Sequence, residues 1–145
     1  MPGNEGGKTV TREQFIKATP ERVFKAITQE LDRWFVQKAV IELKPGGSLL
    51  TEWAPGMGEH GHVVEVTPSQ LFSFTWEAFS PTPTTITFRL AKEKDGTRLS
   101  LAHGGIGEGK GWEMYATIGK AWGAHLNDLT SWVETGTCPP PGPRG

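Results

Sequence analysis

The stretch Trp112-Glu-Met-Tyr115-Ala-Thr-Ile-Gly119-Lys-Ala-Trp122-Gly-Ala-His-Leu126-Asn-Asp-Leu129-Thr-Ser-Trp-Val133 decides the fold. Positions 112, 115, 119, 122, 126, 129 and 133 recur at alternating steps of three and four. That spacing lays one apolar stripe along a helix, so the segment predicts an amphipathic helix over Lys110–Glu134. Gly136, just beyond it, is a natural stop.

Upstream of this helix the period is two. Phe72, Phe74 and Trp76 fall on one face of a strand over Leu71–Glu77, opposite Ser73, Thr75 and Glu77. Ile86, Phe88 and Leu90 share a face within Thr84–Lys92. Leu99, Leu101 and His103 do so within Thr97–His103, after the turn Lys94-Asp-Gly96. Shorter strands are expected over Ala39–Lys44, Ser48–Trp53 and Gly61–Val66, punctuated by Pro45-Gly-Gly47 and Thr67-Pro-Ser69. A first strand covers Thr9–Lys17. Thr19 then offers an N-cap and Pro20 a first helical residue for a short helix carrying Val23, Phe24 and Ile27. A second short helical piece carries Leu31, Trp34 and Phe35. Strands grouped apart from helices predict an α+β domain: a seven-stranded antiparallel sheet with the long C-terminal helix across one face and two short helices between the first two strands. The domain spans residues 9–136, with flexible tails at 1–8 and 137–145.

Composition narrows the function classes. Across 145 residues, 15 basic and 16 acidic side chains nearly cancel, so no global field favours nucleic acid or an anionic membrane. One cysteine, Cys138, leaves no internal disulfide framework and fits a reducing, cytoplasmic setting. No apolar run approaches the length of a membrane span or a secretory signal.

Motifs with chemical meaning are few. Gly104-Gly-Ile-Gly-Glu-Gly-Lys-Gly111 nearly spells a phosphate-binding loop, but glycine stands where the magnesium-holding hydroxyl belongs. It reads as an adaptable loop leading into the helix. His60 and His62 lie two apart, yet no cysteine or acidic residue is spaced to complete a metal site, and surface histidines are the simpler reading. His125 falls off the apolar stripe and is expected to face solvent. His103 points inward, either as a core histidine bonded to a backbone carbonyl or as a donor to a ligand. No paired acids or nucleophile–base spacing are visible, and no cofactor is implied.

The arrangement Ala18-x-Pro-Glu-x-Val-Phe24, Trp34-Phe35, Gly61-His-Val-Val-Glu-Val-x-Pro68, Leu71-x-x-x-x-Trp76, Gly96-Thr-Arg-Leu99 and Trp122-x-x-x-Leu126-x-x-Leu129 resembles the START-like helix-grip superfamily. Within it, the chain is similar to the family named after activators of the heat-shock-protein-90 ATPase. Gln70 departs from the arginine often found there. The resemblance is to the C-terminal-domain type, without the extra N-terminal domain of a full activator, which argues against full activator function. It implies a cavity between sheet and helix.

Six tryptophans and seven phenylalanines in a chain with one tyrosine supply either a solid core or an aromatic lining. Together with the implied cavity they give the expected ligand-binding set Phe35, Trp53, Phe74, Trp76, Phe88, His103, Trp112, Tyr115, Gly119 and Trp122. Gly119 interrupts the helix stripe at a cost of about 1 kcal/mol relative to alanine. It is expected either to leave open space for a ligand or to admit a bulky strand residue. The leading expectation is a binder of a small hydrophobic molecule. The alternatives are a co-chaperone-like domain that contacts a chaperone or other protein, and a cyclase or hydrolase using His103 and Tyr115.

Overall fold

Thr19 caps the first helix as its residue type suggests, its hydroxyl accepting from the Arg22 amide at 3.1 Å, with Pro20 at the first helical position. The computed structural model describes residues 8–54, 57–76, 84–106 and 115–137. Its strands are β1 (Lys8–Ile16), β2 (Lys38–Ile41), β3 (Ser48–Ala54), β4 (Met57–Thr67), β5 (Leu71–Trp76), β6 (Thr84–Glu93) and β7 (Gly96–Ile106). Helices α1 (Pro20–Gln29) and α2 (Leu31–Trp34) separate β1 from β2, and α3 (Tyr115–Thr135) follows β7. Most of the expected glycine-rich loop, and both tails apart from Lys8 and Thr137, lie outside the described residues. Gly104 and Gly105, expected in that loop, instead continue β7.

The strands form one antiparallel sheet in the order β1-β7-β6-β5-β4-β3-β2. Strands β2 to β7 are a meander, in which each alternating strand pairs with the next. β1 closes onto β7, so α1 and α2 carry the chain from one sheet edge to the other. An extra residue at Val64 shifts the β4–β5 register, a device that bends and twists a sheet. The inner face is apolar as the alternation predicts: Val63, Phe72, Phe74, Trp76, Ile86, Phe88, Leu99 and Leu101 are buried.

Against that face lie Ile118, Trp122, Leu126 and Leu129 of α3, all buried. Two hydrogen bonds set α3 against β1 and the residue that follows it: Gln14 Nε2 donates to Thr130 Oγ1 at 2.8 Å, and the Lys17 amide donates to Glu134 Oε2 at 2.8 Å. Gly136 ends the helix in the left-handed region, φ 78°, with its amide bonded to the Trp132 carbonyl. The buried surface of α3 is wider than one stripe, because α2 packs on its flank. Asp128 is buried and His125 half-buried there, while Val133 is only half-buried. His125 therefore does not face solvent as expected: its ring meets Phe35 edge-on at 5.0 Å. His60 and His62 are exposed on the outer face of β4.

Glu30 ties the two short helices to α3. Its Oε1 accepts from Arg22 Nη1 and from Trp132 Nε1, each at 2.8 Å, with Lys25 at 3.9 Å from its other oxygen. Burial alone would raise the pKa of this carboxyl. The Trp132 and Arg22 hydrogen bonds and the two cations outweigh it and hold the group below its usual value.

Candidate functional site

The inward faces of β3, β5, β6 and β7 end together beneath α2 and α3, and there the core changes character. Phe35, the residue that closes α2, places its ring between two indoles. Trp122 stacks on it with centroids 5.2 Å apart and planes 16° apart, and Trp76 lies at 5.5 Å with its plane tilted by 45°. Trp34 backs the ring at 5.4 Å, and its Nε1 donates to the Ala26 carbonyl of α1 at 2.9 Å, which anchors α2. Phe88 meets Trp122 edge-on at 6.0 Å, and Phe74 lies deeper, 6.5 Å from Phe88. The result is an aromatic slot whose middle position is filled by Phe35.

Through this slot runs a polar chain with a fixed direction. An indole nitrogen can only donate, so Trp122 Nε1, 2.9 Å from His103 Nδ1, donates to it. Nδ1 must then be the unprotonated nitrogen. The imidazole proton therefore sits on Nε2, which donates to Thr84 Oγ1 at 2.8 Å. Thr84 in turn donates to the Trp76 carbonyl at 2.9 Å, and Trp76 Nε1 donates to Thr51 Oγ1 at 3.0 Å. Burial pushes the His103 pKa down to about 4, so the ring is neutral at pH 7. Its Nδ1 lone pair already accepts from Trp122. In this arrangement His103 orients an indole and is not placed to take a proton from a bound molecule.

Seven of the ten residues expected from the sequence can be placed. Phe35, Trp76, His103 and Trp122 meet in the slot, and Phe74 and Phe88 form its floor. Gly119 does not join them. A Cβ at that position would lie 3.0 Å from Arg12 Nη2 and 3.8 Å from Val10 Cγ1, so of the two expectations for Gly119 it is a strand side chain, Arg12 of β1, that takes the space. Trp112 lies outside the described residues, as do the side chains of Trp53 and Tyr115. His103 is bonded to side chains of Trp122 and Thr84, not to a backbone carbonyl as the core reading expected. Thr51 and Thr84 were missed, although Thr84 shares by alternation the face of Ile86 and Phe88, and Thr51 that of buried Leu49.

Two substitutions test this geometry. Thr84→Val keeps the shape but leaves the His103 Nε2 proton without its acceptor, so it should cost about 1–3 kcal/mol in a urea unfolding curve. A cost below about 0.5 kcal/mol would mean that the chain of bonds is not as described. Gly119→Ala should stabilise the protein by somewhat under 1 kcal/mol, because the helix gains propensity and only the flexible end of exposed Arg12 must shift. Destabilisation in a thermal melt would show that the β1 backbone cannot accept a methyl group there.

The profile of the family described as Activator of Hsp90 ATPase homolog 1-like protein matches residues 17–134. The chain belongs to this family. Solved structures agree on the fold of this family member. It superposes on the Aha1 dimer from Colwellia psychrerythraea with a TM-score of 0.78 and 20% identity, over 90% of this chain and 99% of that one. Protein MLL2253 from Mesorhizobium loti gives 0.80 at 22% identity, over 88% and 97% of the two chains. CalU16 from Micromonospora echinospora gives 0.73 at 22% identity, over 90% and 78%. No curated protein matches the chain in sequence. Among the described residues no helix is long and apolar enough to cross a membrane, and no group of three or more histidine, cysteine or acidic side chains is placed to hold a metal ion.

Proposed function

We propose that this family member binds a small hydrophobic molecule with a flat or aromatic part, received between the sheet and α3 at the aromatic slot. The observation that carries this reading is the position of Phe35. Its ring stacks on Trp122, with Trp76 tilted against it, and a flat ring of similar size would make the same stacking contact in its place. Phe35 closes a helix of a single turn that Trp34 holds on α1, so the displacement needed is that of the Phe35 side chain alone. The polar chain beneath it is fixed in direction, and such placed hydrogen-bonding groups amid aromatic walls are typical of small-molecule sites.

The reading is tested by titrating the protein with N-phenyl-1-naphthylamine and following probe emission and tryptophan quenching. Wild type should bind one equivalent. Phe35→Ala, whose slot is already vacant, should bind roughly tenfold more tightly, since no ring has to be displaced first. A melt of the variant confirms that it is folded. Absence of saturable binding to both folded proteins would sink the proposal.

A further inference from the structure

β2 ends the sheet, and its outward side invites a partner. The Glu42 amide donates to the Ser48 carbonyl of β3, which fixes the phase of the ladder: backbone groups of even-numbered residues turn toward β3. Those of Ala39 and Ile41 turn away from it, toward the open edge. On the outer face of this strand stand Lys38 and Val40, and Glu42, one residue past its end, keeps the same phase; all three are exposed, with Val40 at 55%. Edge strands are commonly guarded by a charge such as Lys38, but here the guard has its complement four residues away.

We propose that β2 pairs antiparallel with β2 of a second copy of this chain, joining two sheets across a two-fold axis at Val40. In that register Ala39 exchanges both backbone hydrogen bonds with Ile41 of the second copy, and Ile41 with its Ala39. Val40 packs on the second Val40 in a non-hydrogen-bonded pair, where side chains approach most closely. Lys38 comes opposite Glu42 of the second copy, and Glu42 opposite its Lys38. Shifting the pairing by two residues either way sets one of these charges against Val40, and shifting it by four sets like charges opposite one another. Charge therefore selects a single register and an isologous contact. Glu42 is released at small cost, because its present contacts, Lys44 at 3.3 Å and the Ser48 amide at 3.4 Å, are both exposed. On the inner side, a cavity of about 260 Å³ lined by Thr28, Gln29, Leu31, Ala39 and Ile41 adjoins the edge, where the inward side chains of the second strand would arrive.

The test is sedimentation velocity on the full chain from micromolar to millimolar concentration. Wild type should show a concentration-dependent dimer. Lys38→Glu and Glu42→Lys should each weaken it by about tenfold or more, because each sets like charges opposite one another twice. An equimolar mixture of the two variants should restore the dimer, since every acidic position then meets a basic one. Melts of the separate variants verify that Lys38→Glu, which also changes the neighbour of Glu52, leaves the fold intact. A wild type that stays monomeric at millimolar concentration would overturn the proposal. So would a dimer indifferent to both reversals, or folded variants whose mixture fails to associate.

Discussion

Trp122→Ala should lower stability by about 3–5 kcal/mol, equivalent to a drop of roughly 10–20 °C in Tm for a domain of this size. Two losses combine. The indole is almost fully buried against Phe35 and Phe88, so its removal opens a cavity between sheet and helix. It also removes the donor to His103 Nδ1, leaving a buried acceptor without that partner. Trp122→Phe separates the two, because it restores most of the apolar volume and none of the hydrogen bond. Denaturant curves should rank wild type above the phenylalanine variant and that above the alanine variant. An alanine variant within about 1 kcal/mol of wild type would show that α3 does not depend on this contact for docking.

Acid should destabilise the protein through His103, by about 3 kcal/mol between pH 6.5 and pH 4. In the unfolded chain this histidine takes up a proton near its ordinary value of 6.5, whereas the folded protein refuses it until about 4. Between those values the unfolded state binds more protons, so stability rises with pH across the window and is lost as pH falls. The contribution is fully present above 6.5. Glu30 acts in the same sense but in a more acid range, because its carboxyl is held below the usual value and its protonation would break the Arg22 and Trp132 contacts. His103→Gln can still accept from Trp122 and donate to Thr84, but it cannot titrate. The difference in unfolding free energy between the two proteins should therefore shrink as pH falls from 6.5 to 4. A difference that stays constant over that range would mean that His103 is not the buried neutral group described.

The architecture was legible because both periods were clean. Phe72, Phe74 and Trp76 alternate without interruption, and the 3-4 spacing through Trp122, Leu126 and Leu129 needs no tertiary information to read. The same alternation placed His103 inside. Its partners were not legible, since an indole from α3 and a hydroxyl from β6 meet it only after the helix has docked. His125 was misplaced for a related reason. A helix stripe shows which face meets the sheet, but not that α2 covers the flank beside it. Gly119 carried two expectations that the sequence alone could not separate, space for a ligand or room for a strand side chain. The gap is real along the helix, and the Arg12 side chain of β1 crosses it. Glu30 left no trace in the sequence, because Arg22 and Lys25 on its own side suggest an exposed ion cluster and give no sign of Trp132.

The location of binding can be read directly from the indole N–H signals of the six tryptophans, assigned by single tryptophan-to-phenylalanine substitutions, in a ¹H–¹⁵N spectrum recorded during titration with N-phenyl-1-naphthylamine. Trp76 and Trp122 flank the slot, while Trp132 donates to Glu30 away from it. The expected result is that the Trp76 and Trp122 signals move together and saturate at one equivalent, with the Trp132 signal unchanged. Movement of Trp132 while Trp76 and Trp122 stay fixed would contradict a binding site between the sheet and α3.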